Sequence, residues 1–156
     1  MCGYCGCESI DVVGRFMREH VDIINATGVL RRAAEAGGAG GAADGALVSD
    51  AVDRLRGLLD PHTNAEEVGL FAVLAQDAEF TDHVIGLCAE HVILDDLLHR
   101  VEAGAHQLVP TLERALRAHI DREENGLFPA AAIAFAGPEW GRVAALTPAP
   151  AVLAAG

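Results

Sequence analysis

The chain has 156 residues, 51% of them hydrophobic, which fits one compact domain and argues against two large ones. A net charge of −12 would repel phosphate backbones and anionic lipid headgroups, so nucleic acid and membrane surfaces are poor candidate partners. No apolar stretch approaches the roughly 20 residues of a membrane span, and Met1 is not followed by the charged and apolar segments of an export signal. We therefore expect a soluble, cytoplasmic protein.

The first half of the chain predicts two helices joined by a flexible loop. Apolar residues recur at three- and four-residue steps between Ser9 and Ala34, and Ser9 is a natural N-cap. Residues 37–45 read GGAGGAADG, which offers no side chains to pack and predicts a loop. A second helical pattern follows, and Pro61 inside it predicts a kink or a break into two helices.

The second half predicts two more helices, over about 78–103 and 106–132, with Pro110 tolerable in the first turn of the latter. No stretch alternates with period two for long enough to argue a strand. Four amphipathic helices with short connections predict an all-α protein, an antiparallel up-down four-helix bundle with a short C-terminal extension.

The predicted organisation has three parts. A cysteine-rich N-terminal arm occupies residues 1–8, the bundle occupies residues 9–136, and the extension occupies residues 137–156. The extension holds a candidate short helix near Trp140, followed by TPAPAVLAAG. We expect a frayed terminus with little structure there.

One ten-residue pattern occurs twice in the chain. His-x-x-x-Glu-Glu-x-Gly-Leu-Phe begins at His62 and again at His119. A shorter Glu-His-Val pattern places His20 and His91 in matching positions of the two halves. The chain therefore consists of two related helical hairpins, in which one helix carries a lone histidine and the other carries His-x-x-x-Glu.

These histidines and glutamates predict a buried metal centre. Residues four apart on a helix share a face, so each His-x-x-x-Glu can aim an imidazole and a carboxylate at one point. Four imidazoles and two carboxylates can hold two divalent or trivalent cations with the carboxylates bridging. A buried glutamate needs a counter-charge, and the sequence contains no lysine. The predicted ligands are His20, His62, Glu66, His91, His119 and Glu123.

Two further points about this centre stay open at the sequence level. Imidazole and carboxylate donors accept Fe, Mn, Co and Zn, so the identity of the metal is not determined. Glu67 and Glu124 point about 100° round the helix from Glu66 and Glu123, and they are either hydrogen-bond acceptors behind the ligands or surface charges.

With these residues in this order, the chain resembles hemerythrin-like proteins of the HHE cation-binding class over about Ile10 to Pro129. The Leu-Phe after each Glu-Glu and Pro129 contribute to the resemblance. It implies a non-haem di-iron centre, with an oxo or hydroxo bridge, that reacts with dioxygen, peroxide or nitric oxide. It also implies the pairing of the ligands: one iron takes His20 and His62, the other takes His91 and His119, and Glu66 and Glu123 bridge them.

The chain departs from the oxygen-carrying hemerythrins on two helices. Those proteins have His-x-x-x-His on the third helix, whereas here Asp95 follows His91 at that spacing. Their fourth-helix carboxylate is an aspartate one residue further on. Without the fifth histidine, one coordination position on one iron is taken by a carboxylate or a water, or stays open. This favours redox chemistry over reversible oxygen carriage. Asp95 is thus a candidate ligand, or a hydrogen-bond partner of a bound water.

Three cysteines crowd the N-terminus. Cys2, Cys5 and Cys7 form Cys-x-x-Cys-x-Cys, and such thiols bind soft metals or cycle through disulfides. Cys88 lies one turn before His91 and would be a fourth soft-metal ligand if the arm folded back along the bundle. The alternative is a mobile terminus whose thiols have no role in the folded state.

Several functions fit this sequence. The first is a di-iron enzyme of the peroxidase, catalase-like or nitric-oxide-reducing kind. The second is an oxygen or iron sensor or store without turnover, and the third is a purely structural metal bundle. Some hemerythrin-like proteins that repair iron centres carry an N-terminal cysteine segment, although theirs is a longer separate domain. His83, His99 and His106 match no position of the repeat and are left out of the site.

Overall fold

The computed structural model describes residues 6–36 and 45–152, and this part of the chain consists of helices and short connections, with no strand. The helices are α1 (Asp11–Ala36), α2 (Gly45–Glu66), α3 (Ala72–Leu74), α4 (Ala78–Glu102), α5 (Val109–Arg122), α6 (Phe128–Ala134) and α7 (Gly137–Leu146). The four long helices that the sequence predicts correspond to α1, α2, α4 and α5. Each of them packs against two others, since α1 and α4 both contact α2 and α5. The alternating direction of the helices remains a prediction.

The core consists of two apolar clusters separated by the buried histidines. The aromatic cluster contains Phe16, Leu70, Phe71, Leu87, Phe128 and Val143, among others. The leucine cluster contains Leu30, Leu55, Leu94, Leu98 and Leu112, among others. Along the chain, α1 and α4 pass from the aromatic to the leucine cluster, whereas α2 and α5 begin in the leucine cluster. One histidine lies between the clusters on each of these helices.

Of the kink or break expected at Pro61, the break does not occur, since α2 continues through this residue to Glu66. Proline removes one amide donor from the helix. Packing on both sides compensates, since Leu59 is buried in the leucine cluster and Ala65 in the aromatic cluster. The α-helical hydrogen bonding changes only after the ligand position, where residues Glu67–Phe71 form a π-helical turn.

The second copy of the ten-residue pattern has the same local structure. Residues Glu123–Leu127 form a π-helical turn that follows α5, and α6 then continues the helix. Such turns insert an extra residue into a helix and are frequent at functional sites. The duplicated sequence pattern therefore corresponds to a duplicated distortion beside the predicted ligands.

Ser9 does not cap α1. It lies in the short 3-10 turn Cys7–Ser9, and its hydroxyl donates to the carbonyl oxygen of Gly6 at 2.7 Å. Gly6 has a left-handed backbone conformation with φ of 65°, which turns the chain just before the helix. The predicted loop over residues 37–45 falls, apart from Gly45, outside the described residues.

The C-terminal extension is more ordered than the sequence suggested. Residues Gly137–Leu146 form α7, and Val143 on this helix is completely buried in the aromatic cluster. The chain beyond α7 also makes contacts, since Arg15 donates from Nη1 to the carbonyl oxygen of Pro148 at 2.6 Å. The expectation of a frayed terminus is therefore wrong up to Pro148, because one buried side chain and one hydrogen bond hold this segment on the bundle. None of the helices described here could cross a membrane by length and hydropathy.

Candidate metal centre

The six predicted ligands converge in the middle of the molecule. None of their side chains is more than slightly exposed, and Glu66 and Glu123 are completely buried. Their donor atoms form two groups, and within each group all atoms lie within 4.8 Å of one another. One group contains His20 and His62, the other contains His91 and His119, and both contain the two glutamates.

Each glutamate presents one oxygen to each pair of histidines. Oε1 of Glu66 lies 3.0 Å from Nε2 of His62, and Oε2 lies 3.3 Å from Nε2 of His91. Oε1 of Glu123 lies 3.0 Å from Nε2 of His119, and its Oε2 lies 3.1 Å from Nε2 of His20. This is the arrangement in which a carboxylate can bridge two cations.

Most of the inward-facing atoms lack ordinary hydrogen bonds. The exceptions are Nε2 of His91 and Nε2 of His119, which lie within hydrogen-bonding distance of each other at 3.0 Å. Within the described part of the chain, Nε2 of His20, Nε2 of His62 and all four oxygens of Glu66 and Glu123 are buried without a hydrogen-bond partner. Buried polar atoms are rarely left in this state, since each costs the free energy of its lost hydration. A donor set of neutral nitrogens and anionic oxygens, close together and unpaired, fits metal cations.

Without a cation, protons on the imidazoles balance the buried carboxylates. Burial by itself would lower the pKa of His20, but the adjacent carboxylates of Glu123, Glu124 and Glu66 outweigh burial and raise this pKa to about 11. Burial by itself would raise the pKa of Glu66, but the surrounding imidazoles, above all that of His62, hold it well below its usual range. A bound metal would have to displace these protons.

Every ligand histidine donates its outer nitrogen, Nδ1, to a second glutamate. The distances from Nδ1 to the carboxylate oxygen are 2.7 Å for His62 with Glu19, 2.7 Å for His91 with Glu67, 2.7 Å for His119 with Glu90, and 2.9 Å for His20 with Glu124. We call Glu19, Glu67, Glu90 and Glu124 the outer glutamates. Because Nδ1 carries the proton, Nε2 of each neutral imidazole is free to bind a cation.

The outer glutamates settle one open point and add two residues. Glu67 and Glu124 are acceptors behind ligands rather than unattached surface charges. Glu19 and Glu90 were not predicted as site residues, although the repeated Glu-His-Val pattern contains both. Each one lies beside a lone histidine in sequence but bonds the histidine of the neighbouring helix, which the sequence alone does not reveal.

Comparison with known families agrees with this geometry. The family model of the hemerythrin HHE cation binding domain matches residues 11–131. The chain belongs to the hemerythrin HHE family. No curated protein and no solved structure shows a significant match to it. The matched region of this hemerythrin HHE protein contains all six converging donors and the four outer glutamates.

Asp95 is not part of the centre of this HHE protein, contrary to the sequence prediction. Its side chain is 67% exposed, and Oδ1 accepts a hydrogen bond from Nη1 of Arg56 at 3.0 Å. Four residues along a helix advance by about 400°, so Asp95 points about 40° further round α4 than His91. At this position the rotation carries the carboxylate out of the core and toward α2.

The two cysteines that the structure describes do not join the candidate metal-binding groups. Cys2 and Cys5 lie outside the described residues, and Cys7 is buried in the aromatic cluster. Cys88 is partly buried, and burial together with the nearby Glu67 and Glu66 raises the pKa of its thiol. Among the described residues, neither Cys7 nor Cys88 belongs to a group of potential metal donors. His83, His99 and His106 are likewise absent from those groups.

A small cavity reaches one ligand histidine from the surface. It measures about 180 Å³ and lies between α1, α2 and the C-terminal segment. Its lining includes Arg15, Glu19, Asp22, His62 and Pro150. Pockets for drug-sized ligands are larger, about 300–1,000 Å³, so this cavity suits only small molecules.

Proposed function

We propose that this protein is a di-iron protein that reacts with dioxygen, peroxide or nitric oxide. The observation that carries the proposal is the sharing of two buried glutamates between two pairs of histidines. Each carboxylate has one oxygen near each pair, and these oxygens have no hydrogen-bond partner among the described residues. His20 and His62 would hold one iron, His91 and His119 the other, and Glu66 and Glu123 would bridge them.

Four protein donors per metal would leave positions open on a six-coordinate iron, whereas they would close a tetrahedral structural site. Each metal would receive two imidazole nitrogens and one oxygen from each glutamate. Iron commonly takes six ligands in an octahedral arrangement, and imidazole with carboxylate suits it. Open positions on the metal admit small molecules, for which iron supplies electron transfer and Lewis acidity.

The expected framework is an antiparallel four-helix bundle. The order of the apolar clusters along the helices supports this arrangement, because the clusters are met in opposite order on neighbouring helices. Such a framework brings one histidine from each helix to the same level. Cytoplasmic location and the absence of nucleic-acid or membrane partners remain part of the proposal.

Metal content tests the centre. We expect two irons per chain after iron loading, with the optical absorption of an oxo-bridged diferric pair. His62→Ala and His119→Ala should each reduce the content to one iron or none, whereas His106→Ala, outside the site, should retain two. Glu66→Gln should affect both metals, since its two oxygens face both pairs. Full loading of both ligand variants would refute the assignment.

Turnover separates the proposed reactivity from its alternatives. Consumption of hydrogen peroxide and of nitric oxide is measured on the iron-loaded protein with and without an added reductant. Catalytic consumption that disappears in His62→Ala supports the redox function. Stoichiometric binding without turnover indicates a sensor or store instead. Full stability and loading with zinc alone, combined with no reaction of the iron form, indicates a structural centre.

A further inference from the structure

Two of the four outer glutamates are themselves held by arginines. Nε of Arg15 lies 2.7 Å from Oε1 of Glu19, whose other oxygen accepts from His62. Nε of Arg122 lies 2.7 Å from Oε1 of Glu90, whose other oxygen accepts from His119. Among the described residues, Glu67 and Glu124 form no ion pair with an arginine.

Each of the two histidine pairs contains one histidine whose outer glutamate is bound to an arginine. His62 and His119 each have an outer glutamate bound to arginine, whereas His20 and His91 do not. In each pair, one histidine thus has an arginine behind its outer glutamate and the other has none. This symmetry comes from different sequence positions, since Arg15 precedes Glu19 on α1, whereas Arg122 reaches Glu90 from α5 to α4.

The charges of these groups match two divalent cations. Two bridging and four outer glutamates carry six negative charges, and the two arginines carry two positive ones. With neutral imidazoles, the remaining four negative charges equal the charge of two divalent cations. An arginine fixes the orientation of its glutamate, and it also weakens the negative charge that the carboxylate places behind the imidazole.

We propose that Arg15 and Arg122 are positioning residues that set the cation affinity of the centre through Glu19–His62 and Glu90–His119. The inference rests on the proposed metal binding. Removing the charge of an arginine while keeping its hydrogen bond should tighten cation binding. Neutralising the glutamate should weaken it. A purely structural role predicts that both changes weaken binding.

Arg15 should have the larger effect of the two arginines. Its side chain is 16% exposed, whereas that of Arg122 is 49% exposed, so solvent and salt screen Arg122 more strongly. Arg15 also bonds the carbonyl oxygen of Pro148, a contact that Arg122 lacks. Tighter Co²⁺ binding in both Arg15→Gln and Arg122→Gln would therefore exclude an effect that acts only through the C-terminal segment.

The test is the affinity of the full-length protein for Co²⁺, a cation without complicating oxidation, measured by competition with a chromophoric chelator. Arg15→Gln keeps a donor for Glu19, and we expect roughly two- to fivefold tighter binding. Arg15→Lys should restore the wild-type value. Glu19→Gln should bind roughly 10- to 100-fold more weakly. Arg18→Gln, on the same helix and outside these contacts, corrects for the change in net charge.

A second readout uses the iron-loaded protein. The reduction potential should fall in Arg15→Gln, because a positive charge near the metal is lost, and rise in Glu19→Gln. If the wild type binds no Co²⁺, the proposed function fails. If it binds two Co²⁺ per chain but Arg15→Gln and Glu19→Gln shift affinity and potential in the same direction, metal binding stands and this inference is overturned.

Discussion

Gly69 lies directly beneath Thr147, so closely that a β-carbon at position 69 would overlap the threonine hydroxyl. Gly69 belongs to the π-helical turn that follows the predicted ligand Glu66, and Thr147 is the first residue after α7. The equivalent glycine of the second copy is Gly126, where a β-carbon would make only an ordinary contact, at 3.8 Å from Cε1 of His83. Close packing therefore excludes a β-carbon in the first copy of the pattern, whereas the second copy has room for one.

This difference predicts opposite results for two matched substitutions. Gly69→Ala should destabilise the protein, because overpacking typically costs about 1–3 kcal/mol. Gly126→Ala should be neutral or stabilising by up to about 1 kcal/mol, since alanine has the higher helix propensity. Denaturant unfolding of both variants measures the difference. Equal stabilities for the two variants would show that α7 does not press on Gly69.

The docking of α7 predicts a second contrast. Val143→Ala should reduce the free energy of unfolding by roughly 1.5–3 kcal/mol, because Val143 is completely buried in the aromatic cluster. Leu146→Ala, at a position 51% exposed on the same helix, should change it by less than about 0.5 kcal/mol. Thermal and chemical unfolding of both variants provide the measurement. A frayed C-terminus would make the two substitutions equally harmless.

Asp95→Asn tests the placement of this residue outside the centre. The variant loses an exposed ion pair with Arg56, which should cost less than about 1 kcal/mol of stability. Metal content and Co²⁺ affinity should stay at the wild-type values, because the carboxylate points away from the ligands. His91→Ala, one turn earlier on α4, is the control that should lose metal. A loss of metal in Asp95→Asn would return the residue to the site.

The stability of the metal-free protein should decrease as pH rises above neutrality. The pKa of His20 is raised to about 11, above its value of roughly 6.5 in the unfolded chain. A pKa that is raised on folding contributes its full stabilisation at pH values below the pKa of the unfolded chain. This contribution is lost as the pH rises through the pKa of the folded state. We therefore expect stability to fall between about pH 6.5 and 11. Constant denaturant midpoints over this range would contradict the prediction.

Metal binding should show the opposite trend with pH. Imidazoles must lose their protons to bind a cation, so the apparent Co²⁺ affinity should rise with pH from about 6.5 toward the raised pKa values of the folded protein. The raised pKa values of His62, His91 and His119 act in the same direction as that of His20. Calorimetric titration in two buffers of different ionisation enthalpy reports the protons released. Binding without proton release would mean that the histidines are not the ligands.

The sequence by itself determined the helices and the six converging side chains. His-x-x-x-Glu places its two donors on one helical face whatever the surroundings, since this follows from 3.6 residues per turn. This pattern occurs twice, and each partner helix carries one lone histidine. The repeat therefore restricts how the six donor side chains can be arranged. Local geometry was sufficient for His62 with Glu66 and for His119 with Glu123.

Only the tertiary structure decided which groups stand behind the ligands and which face solvent. Glu19 meets His62 across 43 residues of sequence, and Glu124 meets His20 across 104. Two further contacts are of this kind: Asp95 pairs with Arg56, and Val143 packs into the aromatic cluster. These contacts depend on how each helix is rotated and placed against its neighbours. Packing of the whole core fixes that rotation, and the spacing of residues along one helix does not encode it.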